Sequence, residues 1–291
     1  MGNWNVMQRT AGLACVLLAC MLQGDALAGG RDEIRKQAEM SMLVTGNIEI
    51  ERDGSVAKYE LDDAAKLPPV AVRLMDRASA TWRFDPVLVD GKPVRARTAM
   101  TVRLAARQRE NTEGFEVRIT AANFGKFADG EWVSSKGPLL RPKYPPQAAA
   151  SGVRGTVYVI VRIGRDGKVE DAMAEQVNLG SVDRTEAAMQ RWRDSLADAS
   201  LQTARRWRFL PPTQGEEVDA PFWLARVPVS YLLPNDKKPE SGEWETYIPG
   251  PRQSAPWLGG MDTSLGADAV AGDGIFPLKG GPRLLTPLNG G

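Results

Sequence analysis

The sequence predicts an α+β protein of two small modules, each an antiparallel sheet packed against one amphipathic helix. Three observations lead there. Runs of alternating apolar residues mark strands, and an apolar residue every third or fourth position marks one helix per module. The same order of these signals also occurs twice in the 291 residues. That length fits about two domains of roughly 100–200 residues each.

The chain opens with Arg9 and the apolar run Ala11–Leu22, followed by Ala26-Leu27-Ala28. The run is too short for the ~20 residues of a membrane span and ends in a small-residue cleavage pattern. Residues 1–28 are therefore expected to be a signal peptide cut after Ala28. Leu17-Leu18-Ala19-Cys20 loosely fits a lipoprotein signal, which leaves lipidation at Cys20 as the alternative. Either route places the protein in the cell envelope, as a periplasmic or a lipid-anchored chain.

The first module, residues 31–128, begins with Arg31–Met42, a charged stretch read as helical. Ile48 and Ile50 alternate up to Asp53-Gly54, a pair suited to a tight hairpin turn. Val70, Leu74, Ala78 and Trp82 then recur at helix spacing after Pro68-Pro69, where a missing N–H costs little. Trp82-Arg83-Phe84 closes that helix, and Thr98–Leu104 and Phe115–Ile119 read as further strands.

A linker, residues 129–140, leads to the second module, residues 141–233. Here Tyr144-Pro145-Pro146 to Gly152 bounds a short helix. Gly155 starts a strand with Val157, Val159, Val161 and Ile163 on one face, and Asp166-Gly167 repeats the turn. Asp183 and Glu186 have capping-box spacing before a helix whose face carries Ala188, Trp192, Leu196, Ala199 and Thr203. Trp207-Arg208-Phe209 ends it, Pro211 follows, and Arg226–Leu233 is the last strand. The two Asp-Gly pairs lie 113 positions apart and the two Trp-Arg-Phe triplets 125 apart. In both triplets Trp and Phe are expected in the core with Arg outward. Residues 234–291 are about one-third Gly and Pro without periodicity, and are expected to be a flexible tail.

Composition narrows the chemistry. Thirty-seven Lys+Arg against 36 Asp+Glu give +1, unlike the strongly basic domains that bind nucleic acid. There is no histidine, and Cys15 and Cys20 are the only cysteines, which removes Ser-His-Asp and Cys-His catalysis and His-ligated metals. Adjacent carboxylates such as Asp62-Asp63 and Glu216-Glu217 read as solvated. A non-enzymatic protein without cofactor or metal is expected.

Tyr144-Pro145, Ala148, Gly152, Gly155, Asp166-Gly167, Trp207-Arg208-Phe209, Pro211 and Val227-Pro228-Val229-x-Tyr231 together resemble the TonB C-terminal domain family over Arg141–Leu233. The first module resembles a degenerate member without the Tyr-Pro helix. The resemblance implies a binding domain that pairs a short peptide of an outer-membrane transporter with its last strand. On that reading Arg226, Val227, Val229, Tyr231 and Leu233 carry partner binding by β-augmentation, and Pro228 fits because proline is tolerated on edge strands. The partner is then a protein or extended peptide of the envelope, not a nucleic acid, and paired sheets could also form a dimer. Two alternatives stand beside this. One is a membrane-anchored TonB-type energy transducer, from which the sequence departs by its short apolar run, its lack of histidine and the absence of a Pro-rich spacer. The other is a purely structural envelope protein whose modules pack on each other.

Overall fold

The computed structural model describes residues 38–109, 114–125, 127–181, 183, 185–259, 266–270, 274–278 and 281–289. The leader, with Cys20 and Ala28, and Arg31–Gln37 lie outside the described residues. The fold is mixed α and β with mainly antiparallel sheets. Among the described residues no helix is long and apolar enough to cross a membrane.

In the N-terminal half, β1 (Glu39–Ile50) turns through Asp53-Gly54 into β2 (Val56–Leu61). Glu39–Met42, expected as helix, is therefore the start of a strand. Its alternating burial, with Met42 and Val44 inside, outweighs the helix preference of the charged residues before it. Helix α1 (Pro69–Thr81) begins at proline in its first turn and stops at Trp82, whose backbone is extended. The small hairpin β3 (Leu88–Val89) and β4 (Lys92–Pro93) precedes the long strands β5 (Ala96–Gln108) and β6 (Phe115–Phe124). The strand order is β2-β1-β5-β6. Met42, Val44, Ile48 and Ile50 of β1 and Met100, Val102 and Leu104 of β5 bury against Leu74, Met75, Ala78 and Trp82. Each such side chain contributes roughly 1.5–3 kcal/mol.

The C-terminal half repeats this order. The linker contributes β7 (Ser134–Ser135) and the buried Trp132 and Val133, so it is packed rather than loose. Then come α2 (Pro146–Ala150), β8 (Gly155–Gly164), β9 (Val169–Leu179), α3 (Glu186–Ala204), β10 (Phe209–Leu210) and β11 (Phe222–Tyr231). The sheet runs β9-β8-β11, and its odd-numbered side chains on β8 and β11 meet Met189, Leu196, Trp207 and Phe209. The cap of α3 is Thr185, whose side chain accepts from the Ala188 N–H at 3.1 Å. Asp183, expected in that role, instead accepts from Trp192 Nε1 at 2.6 Å.

The described part of residues 234–291 is not a loose tail. Its strand β12 (Glu245–Tyr247) pairs with β1, Ile248 bridges Leu179 on β9, and β13 (Phe276–Pro277) pairs with β11. The Asn289 amide exchanges two hydrogen bonds with the Ile119 backbone on β6, at 2.6 and 2.9 Å. Ile248, Leu258 and Leu284 are buried. Single apolar residues inserted at sheet margins, with sheet edges as hydrogen-bond partners, order a segment that has no periodicity of its own.

A buried polar cluster joins the two sheets on the sides away from their helices. Arg103 of β5 donates from Nη1 to Ser41 Oγ at 2.6 Å and to Glu245 Oε1 at 3.0 Å, and from Nε to the Asp268 carbonyl at 2.9 Å. The Asp268 carboxylate accepts from Asn178 Nδ2 of β9 at 3.1 Å and from the Tyr247 hydroxyl. Segments 245–247 and 266–270 thus sit between the halves.

Candidate peptide-binding edge

The repeated motif residues make the same contacts in both halves. Gly54 and Gly167 have φ of +83° and +74°, and a Cβ there would stand 1.9 Å from Phe84 O and 2.1 Å from Phe209 O. Only glycine admits this approach, and it lets the Phe84 and Phe209 N–H groups donate to Gly54 O and Gly167 O at 2.8 Å each. Trp82, Phe84, Trp207 and Phe209 are buried, while Arg83 and Arg208 are exposed and donate to the preceding tryptophan carbonyls at 2.7 and 2.8 Å. Hydrogen bonds from Ser55 and Lys168 hold the Asp53 and Asp166 carboxyls below the ordinary carboxylate range.

Each triplet also receives a passing chain. Phe209 pairs with Ser135, and Trp207 Nε1 donates to Leu140 O at 2.9 Å, both partners coming from just upstream. Phe84 bridges Leu284, and Trp82 Nε1 donates to Leu288 O at 3.0 Å. The C-terminal segment thus supplies the first half with the contacts that residues 134–140 supply to the second.

Tyr144 and Pro145 lead into α2. The Tyr144 hydroxyl donates to Val153 O, and its ring meets Tyr231 edge-on at 5.2 Å. Tyr231 OH in turn lies 2.9 Å from Ser200 Oγ and donates to Leu196 O at 3.2 Å. Burial pushes both phenols up. Gly155 begins β8 opposite Tyr231, and Pro211 follows β10.

The side chains of β11 are committed within the protein. Val227, Val229 and Tyr231 point into the core against α3 and hold the strand, so any partner pairing would go through the backbone. Leu233 lies beyond the strand, its N–H donating to Asp236 Oδ2 at 2.9 Å. Arg226 is committed to Glu175, with Nε to Oε2 at 2.6 Å and Nη2 to Oε1 at 3.0 Å, and Glu175 also accepts from Arg252 at 2.9 Å.

Backbone geometry defines the edge instead. In an antiparallel ladder a residue's N–H and C=O face one neighbour, and the facing side alternates along the strand. Leu278 N–H donates to Leu224 O at 3.0 Å, so Leu224, Arg226, Pro228 and Ser230 turn away from β8. Pro228 therefore lacks its N–H on the outward side, where no ladder bond of β8 is lost. Strand β13 pairs only at Ala225 and Arg226, and among the described residues no backbone group pairs with Pro228 or Ser230 on that side. A cleft of about 220 Å³ lies beside them, lined by Thr156, Tyr158, Pro228, Ser230, Leu232 and Leu43. It falls below the roughly 300 Å³ at which small-molecule pockets begin. The outward carbonyl of Pro228 and the N–H and carbonyl of Ser230 could be read only in the structure. Pro228 was the one residue whose type signalled them.

The first half has the same edge, filled. Its third strand, β5, pairs with β6 at nine register positions, where among the described residues β11 pairs with β13 at two.

The chain is 34% identical over 101 residues to Protein TonB of Xanthomonas campestris pv. campestris strain B100, and likewise to Protein TonB of strain ATCC 33913. Each match covers 35% of this chain and 38% of the relative, so the chain spans less than half the length of the curated relatives it matches. No family model matches the chain, and no solved structure does. Over about a third of its length, then, the chain is similar to TonB proteins.

Proposed function

We propose that this protein is a non-enzymatic binding protein of the cell envelope, in which the outward edge of β11 takes up an extended peptide, such as a segment of an outer-membrane transporter. The observation that carries the reading is the contrast between the two third strands. β5 carries a full fourth strand on its outer edge, whereas among the described residues β11 carries a two-residue one. An edge with unpaired donors and acceptors is what β-augmentation uses, and a peptide strand antiparallel to β11 would occupy the position that β6 holds on β5. The similarity to TonB proteins supports an envelope partner. On this reading the two halves are tandem TonB C-terminal-like modules, the first closed and the second open.

Site-specific photo-cross-linking from the exposed Leu232 in the native envelope tests this. The reading expects an adduct to an extended segment of one envelope protein, abolished by Ser230→Pro, which removes an outward N–H while sparing the β8 ladder. An adduct unaffected by Ser230→Pro would count against edge pairing.

A purely structural role is the second reading, favoured by one observation. The C-terminal segment touches β1, β6, β9 and β11, and so protects some part of each sheet's margin.

A further inference from the structure

The short strand on the β11 edge comes from the protein's own C-terminal segment, and it is built as a ligand would be. Its register is Ala225 with Pro277 and Arg226 with Phe276, continued by the Leu278 bond to Leu224 O. Pro277 falls at a non-bonded position, where its missing N–H would face away from β11. Phe276 lies on the same side of the sheet as Arg226, packed with Tyr158, Ala267 and Val270. Beyond Leu278 the chain is fastened to the other half through Leu284 against Phe84, Leu288 O on Trp82 Nε1 and the Asn289 amide on Ile119.

We infer that β13 is a resident occupant of the β11 edge, and that Gly274-Ile275-Phe276-Pro277-Leu278 describes the class of peptide that displaces it. That class is an extended segment with a large apolar side chain opposite Arg226, able to dispense with an amide opposite Ala225. The inference rests on the proposed edge reading and adds to it a partner chemistry and a competitor. A longer incoming strand gains the Pro228 carbonyl and both backbone groups of Ser230, which no described residue pairs with on that side. The resident strand competes because its anchor on the first half keeps it near the edge, at the millimolar effective concentrations typical of short tethers. The first half then serves as the clamp that holds the occupant.

The test uses the full chain carrying Cys15→Ser, Cys20→Ser, Ala225→Cys and Pro277→Cys. Residues at a non-bonded antiparallel pair have Cα atoms about 4.5 Å apart, within disulfide range. The probe is a fluorescent synthetic peptide of residues 270–282, titrated to about 1 mM to match the tethered segment. The reduced protein is expected to bind it and the oxidised protein to bind at least tenfold more weakly, with dithiothreitol restoring binding. The same peptide carrying Phe276→Asp is expected not to bind. Equal binding by the oxidised and reduced forms would overturn the inference alone, since the peptide would then sit elsewhere than β13. No binding by either form would overturn the edge reading as well.

Discussion

Replacing Gly167 by alanine tests whether the Asp-Gly turn is locked onto the Trp-Arg-Phe strand. The new Cβ would stand 2.1 Å from Phe209 O, where ordinary contact begins at 3.4 Å, so the turn must retreat by more than 1 Å. That retreat sacrifices the 2.8 Å bond from Phe209 N–H to Gly167 O, worth about 1 kcal/mol. The left-handed backbone at φ +74° adds about 1–2 kcal/mol for a residue with a Cβ. The expected loss is about 2–3 kcal/mol, a fall in Tm of about 3–5 °C for a protein of this size. Gly91 is the control: its φ is +72°, but a Cβ there meets nothing within 4 Å, so Gly91→Ala pays only the strain, about 1 kcal/mol. Urea unfolding followed by tryptophan fluorescence, with calorimetry beside it, measures both. If Gly167→Ala costs no more than Gly91→Ala, the close turn-to-strand approach is not what holds this corner.

Three further outcomes follow from buried charge and hydrogen bonding. Arg226→Met leaves Glu175 buried with Arg252 as its remaining described cation, and should cost about 3 kcal/mol in urea unfolding. The double change with Glu175→Leu should recover most of that, and a double as damaging as the single would refute the desolvation argument. Burial raises the Tyr158 and Tyr247 phenols above their ordinary value of 10, so their contribution is complete below pH 10 and is lost as pH rises further. Ultraviolet titration should therefore show tyrosines that ionise only with unfolding, and normal titration of all five tyrosines in the folded chain would contradict this. The Asp166 carboxyl, held down by the Lys168 side chain and amide, should titrate by carbon NMR below 3.8. Its stabilising effect is present above that value and lost as pH falls through the lower folded midpoint, and Lys168→Ala should move the midpoint up.

Much of the architecture was legible because it rests on local rules. Alternation in Val157–Ile163 made β8, Pro69 opened α1, and the paired Asp-Gly turns and Trp-Arg-Phe triplets repeat in contacts as well as in letters. The start of β1 was misread because the charged stretch Arg31–Glu39 outweighed the alternation of Met42 and Val44. The C-terminal segment was illegible for a different reason. Leu284, Leu288 and Asn289 act one at a time on partners about 170–206 positions away, and no window along the sequence contains both sides of such a contact. At the candidate site, the alternation of side chains on β11 was legible but the direction of its backbone groups was not. Period-two alternation tells which side chains share a face, and on β11 the apolar face is the one turned to α3. The groups that the proposed edge would offer a peptide are backbone atoms, whose direction depends on which neighbour each residue pairs with.

The most direct measurement is amide hydrogen exchange along β11 in the full chain, resolved to single residues. The account predicts slow exchange at Val227 and Val229, whose N–H groups face β8, intermediate exchange at Arg226 and Leu278 under the short β13 ladder, and nearly unprotected exchange at Ser230. Protection of Ser230 equal to that of Val229 would mean that the edge is already filled along its length, and the claim of an open peptide-binding edge would fail.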